Sequence, residues 1–272
     1  MILKFWMPGP PLGHFIENVA YHSGYRPAHT KELLLPDGGV NLVFELSDEA
    51  KYVFNRDSLE PERAYRSGWI SGMHENGLVI DAGRGTPMLV VRFKPGGLWP
   101  FFGFPSAELN DVVLPLTDIW GRPFRDLHEQ LLEAPTATAR FAVLERELIR
   151  IGGARLNPDP FVGYAARTLW YQNKPPSMKA LASKLGYSQK HMIAIFDKHV
   201  GLSPKRYARV MRFQRVIHAL ERDETPSWSM LAQEFGYYDQ AHLINDFKAF
   251  AGMTPTHYLR SKGPFLNFLP IG

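Results

Sequence analysis

Two stretches of the chain repeat one pattern. Residues 231–260 read LAQEFGYYDQAHLINDFKAFAGMTPTHYLR, and residues 181–210 read LASKLGYSQKHMIAIFDKHVGLSPKRYARV. The Leu-Ala and Gly-Tyr pairs recur at an offset of 50 positions, whereas the His, Phe, Gly, Pro, Tyr and Arg that follow recur at 51, which one inserted residue near Tyr238 explains. Because unrelated helices do not share a fixed offset, the pattern predicts two copies of one structural unit.

Each copy has the layout of a helix-turn-helix unit. A first helix leads through the Gly-Tyr pair into a second helix, which ends at a Gly-x-Ser/Thr-Pro exit. Ser188 and Asp239 stand where the second helices need N-caps, and Ser177 and Ser227 stand in the same place before the first helices. The predicted elements are a first unit at about 177–199, a linker helix at about 204–221 and a second unit at about 227–250.

Helical periodicity divides each second helix into an inner and an outer face. The inner residues are Met192, Ile195 and Phe196 in the first copy and Leu243, Asp246 and Phe247 in the second, where Asp246 is discordant because it is charged. The outer residues, our candidates for reading bases, are Gln189, Lys190, Ile193, Ala194, Gln240, Ala241, Ile244 and Asn245. Gln and Asn can pair with an adenine edge, and apolar side chains can contact a thymine methyl group. A merely solvated polar face is the alternative.

The charge of the chain is divided unequally. Residues 1–156 carry 16 Lys and Arg against 19 Asp and Glu, whereas residues 157–272 carry 15 against 8, a net charge of +7. A basic domain attracts polyanions such as double-stranded DNA, although a solvated basic surface would have the same composition. The candidates for phosphate contacts are Lys198, Lys205, Arg209 and Lys248. Arg206, Arg209, Arg212 and Arg215 recur every three residues, so a helix cannot turn them all in one direction.

The first 120 residues are divided by Pro and Gly into short apolar runs, which favours strands and turns. Residues 40–46 alternate at period two, residues 88–93 form a more continuous apolar run, and Asn76-Gly77 before residues 78–80 is a hairpin signal. From Pro123 the apolar spacing becomes helical, and Asn157-Pro158-Asp159-Pro160 predicts a domain boundary. The sequence therefore predicts an α+β chain with a mainly β domain and closing helices at residues 1–156 and an all-α domain at 157–272.

Composition excludes several classes of site. The chain contains no cysteine, which excludes disulfides, thiolate metal sites and a cysteine nucleophile. We find no apolar stretch long enough for a membrane span and no secretory leader before Pro8, and we expect a cytoplasmic protein. The histidines and Glu45 of the first domain lack metal-ligand spacing, so we expect no metal and no cofactor.

Trp69, Phe93, Trp99 and Phe102 are candidates for an effector pocket, with core packing as the alternative.

The repeat also resembles a known family. Residues 231–260 resemble the signature of AraC/XylS-type transcription regulators, and the first copy resembles the family's other motif, so that the likeness covers about Phe161 to Lys262. It implies about seven helices, with two units that enter successive major-groove segments of DNA. The family commonly carries Arg at the position of Ala194, and Ile193 and Ala194 offer no hydrogen bonds to bases. The first 150 residues are similar to a β-rich sensory domain of some such regulators.

We therefore expect a promoter-binding regulator that is not an enzyme, with a sensory or dimerisation domain in front of the DNA-binding domain. Its further candidate partners are RNA polymerase, a small-molecule effector and a second copy of the chain. Two alternatives stay open at this point. One is a metal-dependent enzyme fused to a DNA-targeting module, and the other is an architectural protein that binds DNA without sequence preference.

Overall fold

The computed structural model describes residues 1–172, 176–223 and 225–271, which form a β-rich first part and a helical second part. The strands are β1 (Ile2–Trp6), β2 (Ile16–Ser23), β3 (Lys31–Leu34), β4 (Val40–Glu45), β5 (Lys51–Phe54), β6 (Pro61–Tyr65), β7 (Gly68–Ser71), β8 (Leu78–Asp81), β9 (Met88–Phe93), β10 (Val113–Pro115) and β11 (Phe268–Ile271). The helices are α1 (Trp99–Phe102), α2 (Leu116–Trp120), α3 (Arg122–Glu133), α4 (Ala137–Gly152), α5 (Pro160–Tyr171), α6 (Met178–Lys184), α7 (Gln189–Val200), α8 (Pro204–Leu220), α9 (Trp228–Glu234), α10 (Gln240–Ala251) and α11 (Pro255–Ser261). The predicted α+β class is confirmed.

The strands form two antiparallel sheets. The first has the order β1-β2-β9-β4-β7-β10, and the second has the order β11-β3-β8-β5-β6. Strand β4 lies between β9 and β7, so both of its edges are hydrogen-bonded. Nearly every residue of β4 is buried, whereas buried and half-buried residues alternate along β9, which is the reverse of the burial that the two sequence patterns predicted.

The hairpin prediction for Asn76-Gly77 is wrong. Strand β7 before this pair belongs to the first sheet, and β8 after it belongs to the second, so the two strands are not partners. The loop instead contacts the helical part, where the Gly77 amide donates to the carbonyl oxygen of Phe250 at 3.2 Å. A β-carbon on Gly77 would lie 2.6 Å from the Leu33 side chain. Close packing therefore requires glycine here, and no hairpin is involved.

Helices α3 and α4 pack on the first sheet. Phe124 of α3 stacks on Phe44 of β4 with ring centroids 6.2 Å apart, and Phe141 of α4 stacks on Trp6 of β1 at 6.0 Å. The helical apolar spacing predicted after Pro123 corresponds in α4 to the buried residues Phe141, Leu144 and Leu148. The two helices thus cover one face of the sheet and lead the chain towards α5.

The proline-rich segment before α5 forms a short connection. Asp159 is the N-cap of α5, because its carboxylate accepts from the Phe161 amide at 2.9 Å, and Pro160 occupies the first turn.

None of the helices in the described part of the chain combines the length and the hydrophobicity that crossing a membrane would require.

The two parts of the molecule share one core. The buried apolar residues form a single connected cluster that includes both sheets and the helices from α5 onwards. The buried Gln214 of α8 donates to the Pro36 carbonyl at 2.7 Å and to the Asn267 side chain at 2.9 Å, so one amide joins α8 to the segments before β4 and β11. The helical part is therefore packed firmly against the β-rich part.

Strand β11 brings the chain back to the first domain. It pairs antiparallel with β3, with Leu269 opposite Leu33, and the Leu35 amide donates to the Asn267 carbonyl at 2.9 Å. The interval 157–272, which the sequence assigned to the DNA-binding domain, thus ends in an edge strand of the second sheet. Seven described helices, α5 to α11, precede that strand.

Candidate nucleic-acid interface

Helices α6 and α7 form the first helix-turn-helix unit. Ser177 caps α6 by accepting from the Ala180 amide at 3.2 Å, and Ser188 caps α7 by accepting from the His191 amide at 3.1 Å. Gly186 in the turn has a φ of +74°, a conformation that disfavours any residue with a side chain. The sequence therefore specifies both helix starts and the turn that joins them.

Helices α9 and α10 form the second unit with the same geometry. Gly236 also has a φ of +74°, and Asp239 caps α10 by accepting from the His242 amide at 2.7 Å. Ser227 lies at the N-cap of α9, but its hydroxyl is 3.1 Å from that of Ser229 and makes no capping hydrogen bond. The equal turns show that the sequence repeat is a structural repeat.

The predicted base-reading residues lie on the outer faces of α7 and α10. Gln189, Lys190, Ala194, Gln240, Ala241 and Asn245 are exposed, and Ile193 and Ile244 are half-buried. The inner residues of the same helices, including Asp246, are buried or half-buried. Each unit thus presents two polar side chains, an alanine and an isoleucine, on one outward stripe, which suits contact with base edges in a groove.

The four arginines of α8 all bind protein groups. Arg206 Nε lies 2.5 Å from Glu75 in the first domain, and Arg209 and Arg212 both bind the carboxylate of Asp246. Arg215 donates to the carbonyl oxygens of Leu169 and Trp170 at the end of α5, where a cation also interacts favourably with the helix dipole. Arg209, which the sequence suggested as a phosphate contact, therefore has an internal ion-pair partner.

Among the other phosphate candidates, Lys205 and Lys248 are exposed and form no ion pair with the described residues. Lys198 lies over the ring of Trp99, with its Nζ 4.1 Å from the ring centroid. Lys190 at the start of α7 is also exposed. The side chains that are free to meet phosphates are thus mainly lysines beside the outer stripes.

The first domain holds the C-terminal end of α7. Ser106 donates to the carbonyl oxygen of His199 at 2.8 Å, and the Asn110 amide donates to that of Gly201. These contacts satisfy carbonyl groups that a helix end leaves unpaired. Burial lowers the pKa of His199, which favours its neutral form beside Trp99. Sequence reasoning missed this contact, because its partners are more than 90 positions apart and no local pattern marks it.

The four aromatic candidates for an effector pocket each contact a different aromatic residue. Phe93 is buried against Phe101, and Phe102 stacks on Trp120 with ring centroids 4.9 Å apart. Trp69 contacts Tyr65, and Trp99 contacts His199. Within the described part of the chain, none of these four rings is in ring contact with another of the four. Each ring therefore has its own packing role in the described part of the chain, and Trp99 belongs to the surface between the two domains.

His29, His74 and Glu45 of the first domain take part in separate hydrogen bonds. His29 lies 2.8 Å from Glu32, and His74 lies 2.9 Å from the Ser71 hydroxyl. The buried Glu45 accepts from Ser47 and Thr86 and lies 3.5 Å from the Lys51 amine. Within residues 1–172, 176–223 and 225–271, no three His, Asp or Glu side chains are grouped closely enough to hold a metal ion.

Comparison with known proteins matches both parts of the chain. Residues 181–261 match the family described as a helix-turn-helix domain, and residues 4–115 match a domain of unknown function (DUF6597). An uncharacterized HTH-type transcriptional regulator of Haemophilus influenzae is 31% identical over 84 residues, which cover 31% of this chain and 28% of that protein. The multiple antibiotic resistance protein MarA of Escherichia coli is 27% identical over 84 residues, which cover 31% of this chain and 65% of MarA. The first of these relatives is described as a transcriptional regulator, and both matches cover about a third of this chain.

Among solved structures, ToxT from Vibrio cholerae aligns with a TM-score of 0.46 at 8% identity, covering 96% of this chain and 98% of ToxT. The C-terminal domain of AraT, a response regulator from Geobacillus stearothermophilus, aligns at 21% identity with a TM-score of 0.35 over 38% of this chain and 87% of that domain. The matched helix-turn-helix segment coincides with the two structural units described above. The match supports the resemblance of the C-terminal helices to AraC/XylS-type DNA-binding regulators that the sequence indicated.

Proposed function

We propose that the protein regulates transcription by binding a specific promoter sequence with α7 and α10 in successive segments of the major groove. The observation that carries the proposal is the pair of equivalent outer stripes, which leave the same four positions accessible in both units. A recognition helix of this kind reads bases through residues near its N-terminus. The stripes occupy that part of α7 and α10, while the C-terminal ends of both helices contact the first domain.

The two helices offer different chemistry for reading bases. Asn245 on α10 can form two hydrogen bonds with an adenine edge, whereas its counterpart Ala194 on α7 can form none. Ile193 and Ile244 can each contact a thymine methyl group. We therefore assign most of the hydrogen-bonded readout to α10 and expect α7 to contribute through Gln189, Lys190 and apolar contacts.

The first domain is suited to control this binding, because it contacts elements of both units. It holds the end of α7 through Ser106 and Asn110, and it approaches the end of α10 through Arg56 and Gly77. A signal can shift the population of DNA-binding orientations only if it binds one arrangement of these contacts better than another. An effector or a second copy of the chain that binds the first domain would act in this way.

Selection from a random double-stranded DNA library with the full-length protein at two salt concentrations tests the proposed function. We expect an enriched motif that spans two major-groove segments about one helical turn, roughly 34 Å, apart. A motif of half that length would show that α7 only positions the protein. The absence of any motif, with binding that collapses as salt rises, would support the architectural alternative and contradict the proposal.

The variant Asn245→Ala tests the assignment of readout to α10. We expect it to relax preference at one base position and to weaken binding to the selected site by about 1 to 3 kcal/mol, because a bidentate contact is lost. Binding titrations on the selected site and on single-base variants of it would measure both effects. The matched control is Gln233→Ala, which removes an exposed amide side chain from α9 outside both outer stripes. An equal loss on all sequences would reassign Asn245 to backbone contact.

A further inference from the structure

We propose that Asp246 is a positioning residue that sets which bases α10 reads, through an ion cluster with Arg209 and Arg212 of α8. This inference rests on the proposed function. Asp246 is 5% exposed and faces the protein interior, away from the outer stripe. It therefore acts on DNA recognition only through the orientation of its helix.

The cluster joins α10 to α8 by two charge-assisted hydrogen bonds. Arg209 Nε lies 2.5 Å from one carboxylate oxygen of Asp246, and Arg212 Nη2 lies 3.1 Å from the other. Each guanidinium also lies against an aromatic ring, Arg209 at 4.8 Å from the centroid of Phe250 and Arg212 at 4.1 Å from that of Tyr237. Because both oxygens are engaged from one helix, the carboxylate restricts rotation of α10 about its own axis.

The same cluster reaches the turn of the second unit. Arg212 donates to the carbonyl oxygen of Gly236 at 3.4 Å while its guanidinium covers the ring of Tyr237. Burial, and next the nearby Asp246 carboxylate, raise the pKa of the Tyr237 hydroxyl, which therefore stays neutral. Helix α10, the turn of the second unit and the linker helix α8 thus meet at one carboxylate.

The described residues of the first unit form no such cluster. The position equivalent to Asp246 is Ile195, which belongs to the apolar packing of α7. A buried ion pair contributes little net stability compared with well-packed apolar residues, but its directional bonds can select one arrangement. Residues that are adjacent in a helix point about 100° apart, so any rotation that loosens Asp246 also turns its neighbour Asn245. The additional ion cluster in unit two is therefore best explained by orientation of the hydrogen-bonding stripe.

The test compares Asp246→Asn and Arg209→Gln with the wild type on the selected site. The bases that respond to Asn245→Ala define the part read by α10, and the remaining bases of the motif define the part read by α7. In both variants we expect discrimination between bases in the α10 part of the motif to fall at least about fivefold. Discrimination between bases in the α7 part should be unchanged. Arg209 is about half exposed, so Arg209→Gln is compatible with folding.

Salt dependence separates this role from a phosphate contact. If Arg209 bound a phosphate, Arg209→Gln would weaken binding equally on all sequences and reduce the slope of log affinity against log salt by about 0.9. If the cluster orients α10, Arg209→Gln leaves the slope unchanged, and Asp246→Asn does not reduce it, because it releases two guanidinium groups. The matched control is Asp239→Asn, which removes one negative charge from the same helix while asparagine still caps it.

Retained discrimination in the α10 part by a folded Arg209→Gln or Asp246→Asn protein would overturn the inference. So would an equal loss in the Asp239→Asn control, since that would trace the effect to net charge. If the wild type selects no motif, the proposed function is wrong. If the wild type selects a two-part motif and the variants leave it unchanged, only the role of Asp246 is wrong. Circular dichroism of each variant shows whether it is folded. Asp246→Ile, which introduces the residue of the first unit, replaces Asp246→Asn if that variant does not fold.

Discussion

Phe247→Ala is expected to lower the free energy of unfolding by about 3 to 5 kcal/mol. Phe247 lies on the inner face of α10 and is 1% exposed. Its ring contacts Phe213 of α8 at a centroid distance of 5.1 Å and Tyr258 of α11 at 5.6 Å. Alanine would remove this ring's contacts with both helices and leave a cavity where they meet. Chemical denaturation followed by tryptophan fluorescence or circular dichroism measures the change.

The matched control for this variant is Tyr238→Ala. Tyr238 is an aromatic residue of the same unit but is 92% exposed, so its removal should change the free energy of unfolding by less than about 0.5 kcal/mol. A loss below about 1 kcal/mol for Phe247→Ala would mean that α10 is not anchored through this ring. We also expect weaker DNA binding by Phe247→Ala at temperatures where part of the protein is unfolded.

Leu269→Asp is expected to detach β11 from the second sheet. Leu269 is 1% exposed and stands opposite Leu33, so the variant loses the burial of a leucine and places a carboxylate in an apolar site. Together these effects should destabilise the attached state by at least about 3 kcal/mol. Hydrogen exchange at the Leu35 amide, which donates to Asn267 beside the strand, measures the opening. We expect its exchange to accelerate by about two orders of magnitude.

Phe268→Asp is the control for this variant, because successive side chains of a strand point to opposite faces and Phe268 is only half-buried. Unchanged exchange at Leu35 in Leu269→Asp would show that the strand is held by backbone pairing alone.

The same variant tests control by the first domain, because it weakens one of the connections between the domains. We expect the affinity of Leu269→Asp for the selected DNA to differ from that of wild type, whereas Phe268→Asp should leave it unchanged.

The sequence predicted the helical units well because the signals that define them are local. The caps at Ser188 and Asp239 act on amides three residues away, and the turn glycines act on their own backbone. The inner and outer faces of each helix follow from the helical period of about 3.6 residues, which is visible within one helix. The strands at residues 40–45 and 88–93 were predicted for the same reason, since the alternation of the first, the apolar run of the second and the breakers beside them are all local.

The contacts between the two domains could not be predicted, because they depend on residues far apart in the chain. The partner of Arg206 is Glu75, and the end of α7 binds Ser106 and Asn110. The discordant charge at Asp246 was visible in the repeat. Its partners could not be identified, because four arginines recur every three residues and this spacing does not show which of them face α10. Strand β11 had a sequence signal against it, because Pro270 cannot donate to a ladder, and only its edge position allows the proline.

The return of the chain through β11 makes the DNA-binding helices an insertion within the first domain and not an appendage of it. The insertion leaves the first domain after α4 and re-enters it at β11, so it is tethered at both ends. Two short tethers keep the effective concentration of each domain for the other high, even when their side-chain contacts open. A signal would therefore turn the helices about their two attachment points and would not release them. A fragment cut at residue 157 would carry an unpaired edge strand, which is an aggregation hazard.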